Sequence, residues 1–203
     1  MFNSNSTFWQ GVARAGDLVW LNILVLVSSL PVVTGGAALT AMFDVLIRYN
    51  RGDEPPLNKT YWAAFRANFK QASLIWLVVG PVALALGAAW LLLPLEEVLP
   101  LKALTTLLFL AVAPYFFFLQ AKFENTVGAT IRNALLIPAT RLPSAAAALA
   151  TQVVLIGVGV ATAIYLPQAL PILALLGVAG IGYAITPALQ KSVEPWDEAP
   201  EEE

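Results

Sequence analysis

The sequence contains neither cysteine nor histidine. Without cysteine the chain has no disulfide, no thiolate nucleophile and no cysteine-ligated zinc or iron–sulfur cluster. Without histidine it lacks the usual general base at neutral pH and the commonest metal ligand. Charge is also scarce, since Asp, Glu, Lys and Arg make up only 12% of the 203 residues. We therefore expect a protein that is not an enzyme and has no catalytic, cofactor-binding or metal-binding residues.

Apolar residues take the place of the missing charge. They account for 59% of the sequence, and the mean hydropathy is +0.74. An ordinary soluble domain has about 45–50% apolar and about 25% charged residues. The apolar residues also form blocks close to the length of about 20 residues that a membrane-spanning helix needs. The sequence therefore predicts an all-α, polytopic transmembrane helical bundle.

One helical membrane domain is predicted over residues 1–190. Its six spans are expected at about 8–30, 34–50, 72–93, 101–120, 145–166 and 168–187. The first region is open to other interpretations, because Pro31 and the pair Gly35–Gly36 interrupt it. If residues 17–43 form one kinked helix there are five spans, and a re-entrant second segment is a further alternative.

The basic residues indicate how the chain is oriented, because cytoplasmic loops carry an excess of Lys and Arg. With six spans and both termini cytoplasmic, the inner side holds ten basic residues and the outer side holds only Lys102. With five spans the count is nine against two. We favour six spans in a bacterial cytoplasmic membrane, with the break at residues 30–36 at or near the outer face.

The last residues, 191–203, are predicted to form a disordered cytoplasmic tail, because solvated runs of acids rarely fold. Six of the thirteen acidic residues lie at this end, namely Glu194, Asp197, Glu198, Glu201, Glu202 and Glu203. The rest of the chain is mildly basic. This charge suits a protein in contact with an anionic lipid bilayer and gives no indication of nucleic-acid binding.

Two segments outside the spans have an apolar stripe at helical spacing, Thr60–Trp76 and Lys122–Ile137. Each is predicted to be an amphipathic helix lying at the cytoplasmic interface, with its basic residues reaching the lipid phosphates. Their aromatic and charged residues are the candidates for docking a partner protein: Phe65, Arg66, Phe69, Lys70, Glu124 and Arg132.

The break in the first apolar region supplies the second set of candidates: Ser29, Pro31, Thr34, Gly35 and Gly36. Transporters bind substrates at helices that are broken within the membrane, so these residues are candidates for a solute pathway. Proline and glycine are equally typical of a tight turn between two spans. The sequence leaves both interpretations open.

Two acidic residues lie close to the predicted spans, Asp17 and Asp44. We expect them at the cytoplasmic interface, where Asp44 would pair with Arg48 four residues later and Asp17 with Arg14. A catalytic pair, in which the two carboxylates exchange protons, is the less favoured interpretation.

Several short motifs resemble the YesL family of bacterial membrane proteins, a family of unknown function. They are spread in order from about Phe8 to Pro143: Gly16-Asp17-Leu18, Trp20-Leu21-Asn22, residues 29–35 (SLPVVTG), residues 68–77 (NFKQASLIWL), residues 123–127 (FENTV) and residues 132–136 (RNALL). The resemblance implies an integral protein of the bacterial cytoplasmic membrane, often encoded beside carbohydrate ABC importers. It implies no catalytic or ligand-binding residues.

The residues and the resemblance together lead to two functional hypotheses. The first is an accessory or assembly subunit of a carbohydrate ABC importer, whose permease or ATPase subunits would be the partners. The alternative is a stand-alone carrier or channel for small solutes that uses the break at Pro31–Gly36. A homo-oligomer is compatible with either hypothesis.

Overall fold

A computed structural model of the chain describes residues 7–53, 55–93 and 96–197. This part of the chain contains seven α-helices and no strand, which confirms the all-α prediction. The helices are α1 (Thr7–Ser28), α2 (Gly35–Asn50), α3 (Leu57–Leu92), α4 (Leu99–Lys122), α5 (Val127–Thr140), α6 (Leu142–Tyr165) and α7 (Leu170–Asp197). Single 3-10 turns, Val32–Thr34, Glu96–Val98 and Pro167–Ala169, lie in three of the connections.

Within these residues, six helices are long and apolar enough to cross a membrane; only α5 is not among them. Their outward surfaces are apolar too: Val154 on α6 is 63% exposed and Leu84 on α3 is 66% exposed. Large apolar side chains that face outward along whole helices are typical of a protein surrounded by lipid. These features fit a multi-pass membrane protein.

The core of the bundle is centred on α2, which packs against α1, α3, α4 and α7. Small residues on α2 allow this close packing, and Ala38 and Ala41 are fully buried there. The edge of the Phe43 ring on α2 meets Phe118 on α4, with 5.9 Å between the ring centroids. As a result, α2 is far more buried than the other apolar helices.

The predicted interfacial helix at residues 60–76 is not a separate element. It forms the first half of α3, a single helix of 36 residues that continues through the predicted span 72–93. At a rise of 1.5 Å per residue such a helix is about 54 Å long, which exceeds the thickness of a bilayer core. Because no proline or glycine lies between Leu57 and Val79, nothing in the sequence ends the helix at the expected boundary.

The second amphipathic segment does form its own helix, α5. It begins five residues later than predicted, because the Thr126 side chain caps it by accepting a hydrogen bond of 3.3 Å from the backbone N–H of Ala129. The predicted tail also differs from the structure. Helix α7 continues to Asp197, with Ser192 and Val193 buried, while residues 198–203 lie outside the described residues.

Candidate functional site

The predicted docking residues on α3 divide into buried and exposed side chains. Phe65 is half-buried and packs against the core, between the rings of Tyr61, Trp62 and Phe69. Arg66, Phe69 and Lys70 are exposed. Only these three are therefore available to a partner, and Phe65 supports the helix beneath them.

The other two docking candidates, Glu124 and Arg132, are also exposed. Glu124 lies in the connection before α5, and Arg132 lies on α5 itself. The three exposed docking candidates on α3 and these two residues each carry a charge or a large ring. We call these five residues, Arg66, Phe69, Lys70, Glu124 and Arg132, the α3–α5 surface.

A buried polar cluster brings α3 and α5 together. The Gln120 side chain on α4 donates hydrogen bonds to the side-chain oxygens of Asn68, at 3.2 Å, and Gln71, at 2.9 Å. Its own carbonyl oxygen accepts a hydrogen bond of 3.3 Å from the Thr130 hydroxyl on α5. Gln120 and Thr130 are both buried. One glutamine thus fixes the position of α5 against the first half of α3.

The predicted helix break is a closed turn. The Thr34 hydroxyl lies within hydrogen-bond distance of the backbone oxygens of Ser28, at 2.5 Å, and Pro31, at 2.6 Å, and so ties the two sides of the turn together. Gly35 and Gly36 are buried against Trp76 and Ala72 of α3. Ser29 is half-buried and leads into this turn. The hydrogen bonds and the tight packing favour the turn interpretation of these five residues.

The expected placement of the turn at the outer face and that of residues 60–76 at the cytoplasmic interface do not both hold. The Ser28 and Tyr61 hydroxyls are 2.6 Å apart, so the turn lies beside the first half of α3. The outer-face prediction put these two residues on opposite sides of the membrane. Helix α3 ends at Leu92, which is 16 residues, or about 24 Å along the helix, beyond Trp76. The connection between α3 and α4 begins there. The turn and that connection are therefore at different depths.

A helix break that the sequence analysis missed lies in α7. Gly177 has φ of 36° and ψ of −130°, a backbone conformation that favours glycine, and it divides α7 into two parts. The buried Asn22 side chain on α1 bridges the two parts, because its amide donates to the Ala174 oxygen at 2.9 Å and its oxygen accepts from the Ala179 N–H at 3.3 Å. Asn22 was visible as a polar residue in an apolar span, but its partner 152 residues away was not.

Replacing Asn22 with leucine is expected to destabilise the protein. The substitution would leave the Ala174 oxygen and the Ala179 N–H without a partner, at a cost of about 2–4 kcal/mol. The measurement is the melting temperature of the purified protein in detergent. Asn58→Ala is the matched control, because Asn58 accepts a bond from Trp20 at an exposed site. Equal melting temperatures for Asn22→Leu and Asn58→Ala would show that the bridge does not stabilise the break.

An open cavity of about 270 Å³ lies between α2, α3, α4, α6 and α7. Its wall is almost entirely apolar and includes Met42, Phe109 and Ile181. Gln152 also lines it, but the Gln152 amide donates to the backbone oxygens of Leu110 and Ala148. The cavity offers few hydrogen-bonding groups to a polar solute.

Asp44, one of the two acidic residues near the predicted spans, has a structural partner. Asp44 pairs with Arg48 at 3.0 Å, as predicted from their spacing. Arg14 donates to the Tyr49 backbone oxygen at 3.4 Å and lies over the Tyr49 ring. Among the described residues, no group of three or more acidic side chains is placed to hold a metal ion.

Comparison with known proteins gives one family. No curated protein and no solved structure matches the chain. The family model described as "Protein of unknown function, DUF624" matches residues 18–90. This range runs from α1 to near the end of α3 and contains Asn22, the turn and the α3 residues of the α3–α5 surface. Over little more than a third of its length, the chain is thus similar to a family whose function is unknown.

Proposed function

We propose that this chain is a non-enzymatic accessory or assembly subunit of the bacterial cytoplasmic membrane that docks a partner protein on the α3–α5 surface. The observation that carries the proposal is the Gln120 cluster, which joins α3 and α5 rigidly while Arg66, Phe69 and Arg132 stay exposed. Exposed aromatic and arginine side chains on a fixed scaffold are typical of protein interfaces.

The partner that we propose is a permease or ATPase subunit of a carbohydrate ABC importer. This part of the proposal rests on the resemblance to the YesL family, whose members are often encoded beside such importers. The carrier alternative depended on a pathway through residues 29–36. Because those residues pack as a closed turn, no observation of the site favours that alternative.

The test is a pull-down of the tagged protein from native membranes in mild detergent, followed by mass spectrometry. We expect importer subunits to be recovered with the wild type in a fixed ratio. The variant Phe69→Glu/Arg132→Glu should reduce their recovery at least about tenfold, because it removes an exposed ring from α3 and reverses an exposed charge on α5. Phe65→Glu is less suitable, since Phe65 also packs against the core.

The matched control is Arg51→Glu, which reverses an exposed basic residue on the loop after α2. It should leave the recovery of the partner unchanged. If the double variant recovers importer subunits as well as the wild type does, the α3–α5 surface is not the docking site. If the wild type is recovered without any importer subunit, the proposed partner is wrong.

A further inference from the structure

Three basic residues that are far apart in the sequence line one groove at the end of the bundle. Arg51 follows α2, Lys122 ends α4 and Lys191 lies on α7. The groove has a volume of about 410 Å³, and its remaining lining residues are Asn50, Pro187, Gln190 and Glu194. Three cations and one carboxylate give it a net positive charge.

The floor of the groove is built from side chains that hold one another in place. The Asn50 amide donates to the Gln190 side-chain oxygen, and the Gln190 amide donates to the Ile47 backbone oxygen at 3.3 Å. These contacts tie the end of α2 to α7. The residue before Arg51 is therefore held against α7, one position along the chain from Lys191 at Gln190.

A common structural role for basic residues at helix ends is to neutralise the last carbonyl groups. In α2 other groups already do this. The Ile47 oxygen accepts from Gln190 and from the Arg51 backbone N–H, and the Tyr49 oxygen accepts from the Gly52 N–H and from Arg14. In the described part of the chain, neither the Arg51 nor the Lys191 side chain forms an ion pair. Their charges are available to a ligand.

We propose that this groove binds a phosphate group, carried either by an anionic lipid headgroup or by a free solute. Two ammonium groups and a guanidinium around one cavity are the donors that a phosphate oxygen accepts from most readily. The amide side chains of Asn50 and Gln190 add neutral hydrogen-bonding atoms beside them. Basic grooves between the cytoplasmic ends of membrane helices are suited to lipid phosphates. This site is separate from the α3–α5 surface and does not depend on the docking proposal.

The experiment measures binding to the full chain in dodecyl maltoside micelles. One arm titrates palmitoyl-oleoyl phosphatidylglycerol, with the phosphatidylcholine of the same chains as the reference lipid, and counts bound lipids by native mass spectrometry. The other arm titrates inorganic phosphate and follows the melting temperature. The groove variant is Arg51→Gln/Lys122→Gln/Lys191→Gln. The control is Lys59→Gln, compared with Lys191→Gln alone, because Lys59 is exposed and does not line the groove.

We expect the wild type to bind one phosphatidylglycerol in preference to phosphatidylcholine, and the groove variant to bind it at least about tenfold more weakly. The control variant should bind like the wild type. If inorganic phosphate instead stabilises the wild type but not the groove variant, the phosphate comes from a free solute and the site still holds. Both results support the groove.

Two results would overturn the proposal. An equal loss of binding in Lys191→Gln and Lys59→Gln would mean that general charge attraction, and not the groove, holds the lipid. Failure of the wild type to bind either probe would rule the site out directly. Should the triple variant not fold, Lys191→Glu alone repeats the test, because Lys191 is exposed and its replacement disturbs no buried contact.

Discussion

Replacing Gly36 with alanine is expected to destabilise the protein more than any other glycine substitution in the turn. An added Cβ would lie 2.2 Å from the Ala72 backbone oxygen and 2.7 Å from the Trp76 Cβ. Backbone atoms of a packed helix cannot move aside, so α2 and α3 would have to separate. We expect a loss of about 3 kcal/mol in the free energy of unfolding. For a chain of this size that corresponds to a fall of about 6–12 °C in melting temperature.

Other glycines of the chain provide a graded control. At Gly35 an added Cβ would meet the Trp76 ring at 3.0 Å, and a ring has some freedom to shift, so Gly35→Ala should have a smaller effect. At Gly87 no atom lies within 4 Å, and alanine is the better helix former, so Gly87→Ala should leave stability unchanged or raise it by up to about 1 kcal/mol. Melting temperatures that do not follow the order Gly87, Gly35, Gly36 would contradict the close packing of α2 on α3.

The sequence was sufficient to predict the helices but not their depths. Blocks of apolar residues identify membrane helices because a bilayer offers no partner for an unpaired backbone. The positive charges identify which ends lie together, and the structure indeed brings Arg51, Lys122 and Lys191 to one end. Neither signal reports how far a helix extends into the bilayer. A turn such as residues 29–34 needs the same turn-forming residues whether it lies at the far face of the membrane or halfway across the bilayer.

Contacts between distant residues were also beyond sequence analysis. The buried Asn22 side chain finds hydrogen-bond partners only because the helix break at Gly177 leaves backbone groups of α7 unpaired beside it. No local sequence pattern relates these two positions. The residues of the α3–α5 surface were easier to predict, because an apolar stripe at helical spacing identifies a helix face from neighbouring residues alone. What the stripe did not show is that Phe65 belongs to the core and Phe69 to the surface.

The depth of the turn between α1 and α2 gives a second large expected effect. Gly35 packs on the Trp76 ring, and Trp76 lies 6.0 Å from the Phe117 ring on α4. Phe117 is five residues, or about 8 Å, from the end of α4 at Lys122. Lys102 lies near the other end of α4, about 22 Å along the helix from Phe117, and its ammonium donates to the Leu93 oxygen at 2.5 Å. The turn thus lies nearer the end with the basic groove.

The turn also has the properties of a segment that stays inside the bilayer. Leu30 is 78% exposed and Val32 is 64% exposed, which suits contact with acyl chains. Several of its backbone groups bond within the chain, since the Ser28 and Pro31 oxygens accept from Thr34 and the Ser29 N–H donates to the Val25 oxygen. We infer that α1 and α2 form a re-entrant hairpin. Four helices, α3, α4, α6 and α7, then cross the membrane, and the termini remain on one side.

Charge counting does not distinguish this arrangement from six spans, because a hairpin that returns to its own side moves no basic residue across the membrane. Labelling of single cysteines does distinguish them, and the natural sequence has no cysteine to interfere. Val33→Cys, Glu97→Cys and Asp53→Cys place a thiol in the turn, in the connection after α3 and in the loop after α2. Each variant is treated in intact cells with a membrane-impermeant maleimide.

We expect Glu97→Cys to be labelled from outside and Asp53→Cys only after the membrane is permeabilised. Val33→Cys should resist the reagent in intact cells, because the turn lies within the bilayer and does not reach the outer face. Labelling of Val33→Cys as rapid as that of Glu97→Cys would mean that α1 and α2 cross completely, and the chain would then have six spans. Because α1 and α2 would pack in the same way in either case, the Gly36→Ala result stands independently of this outcome.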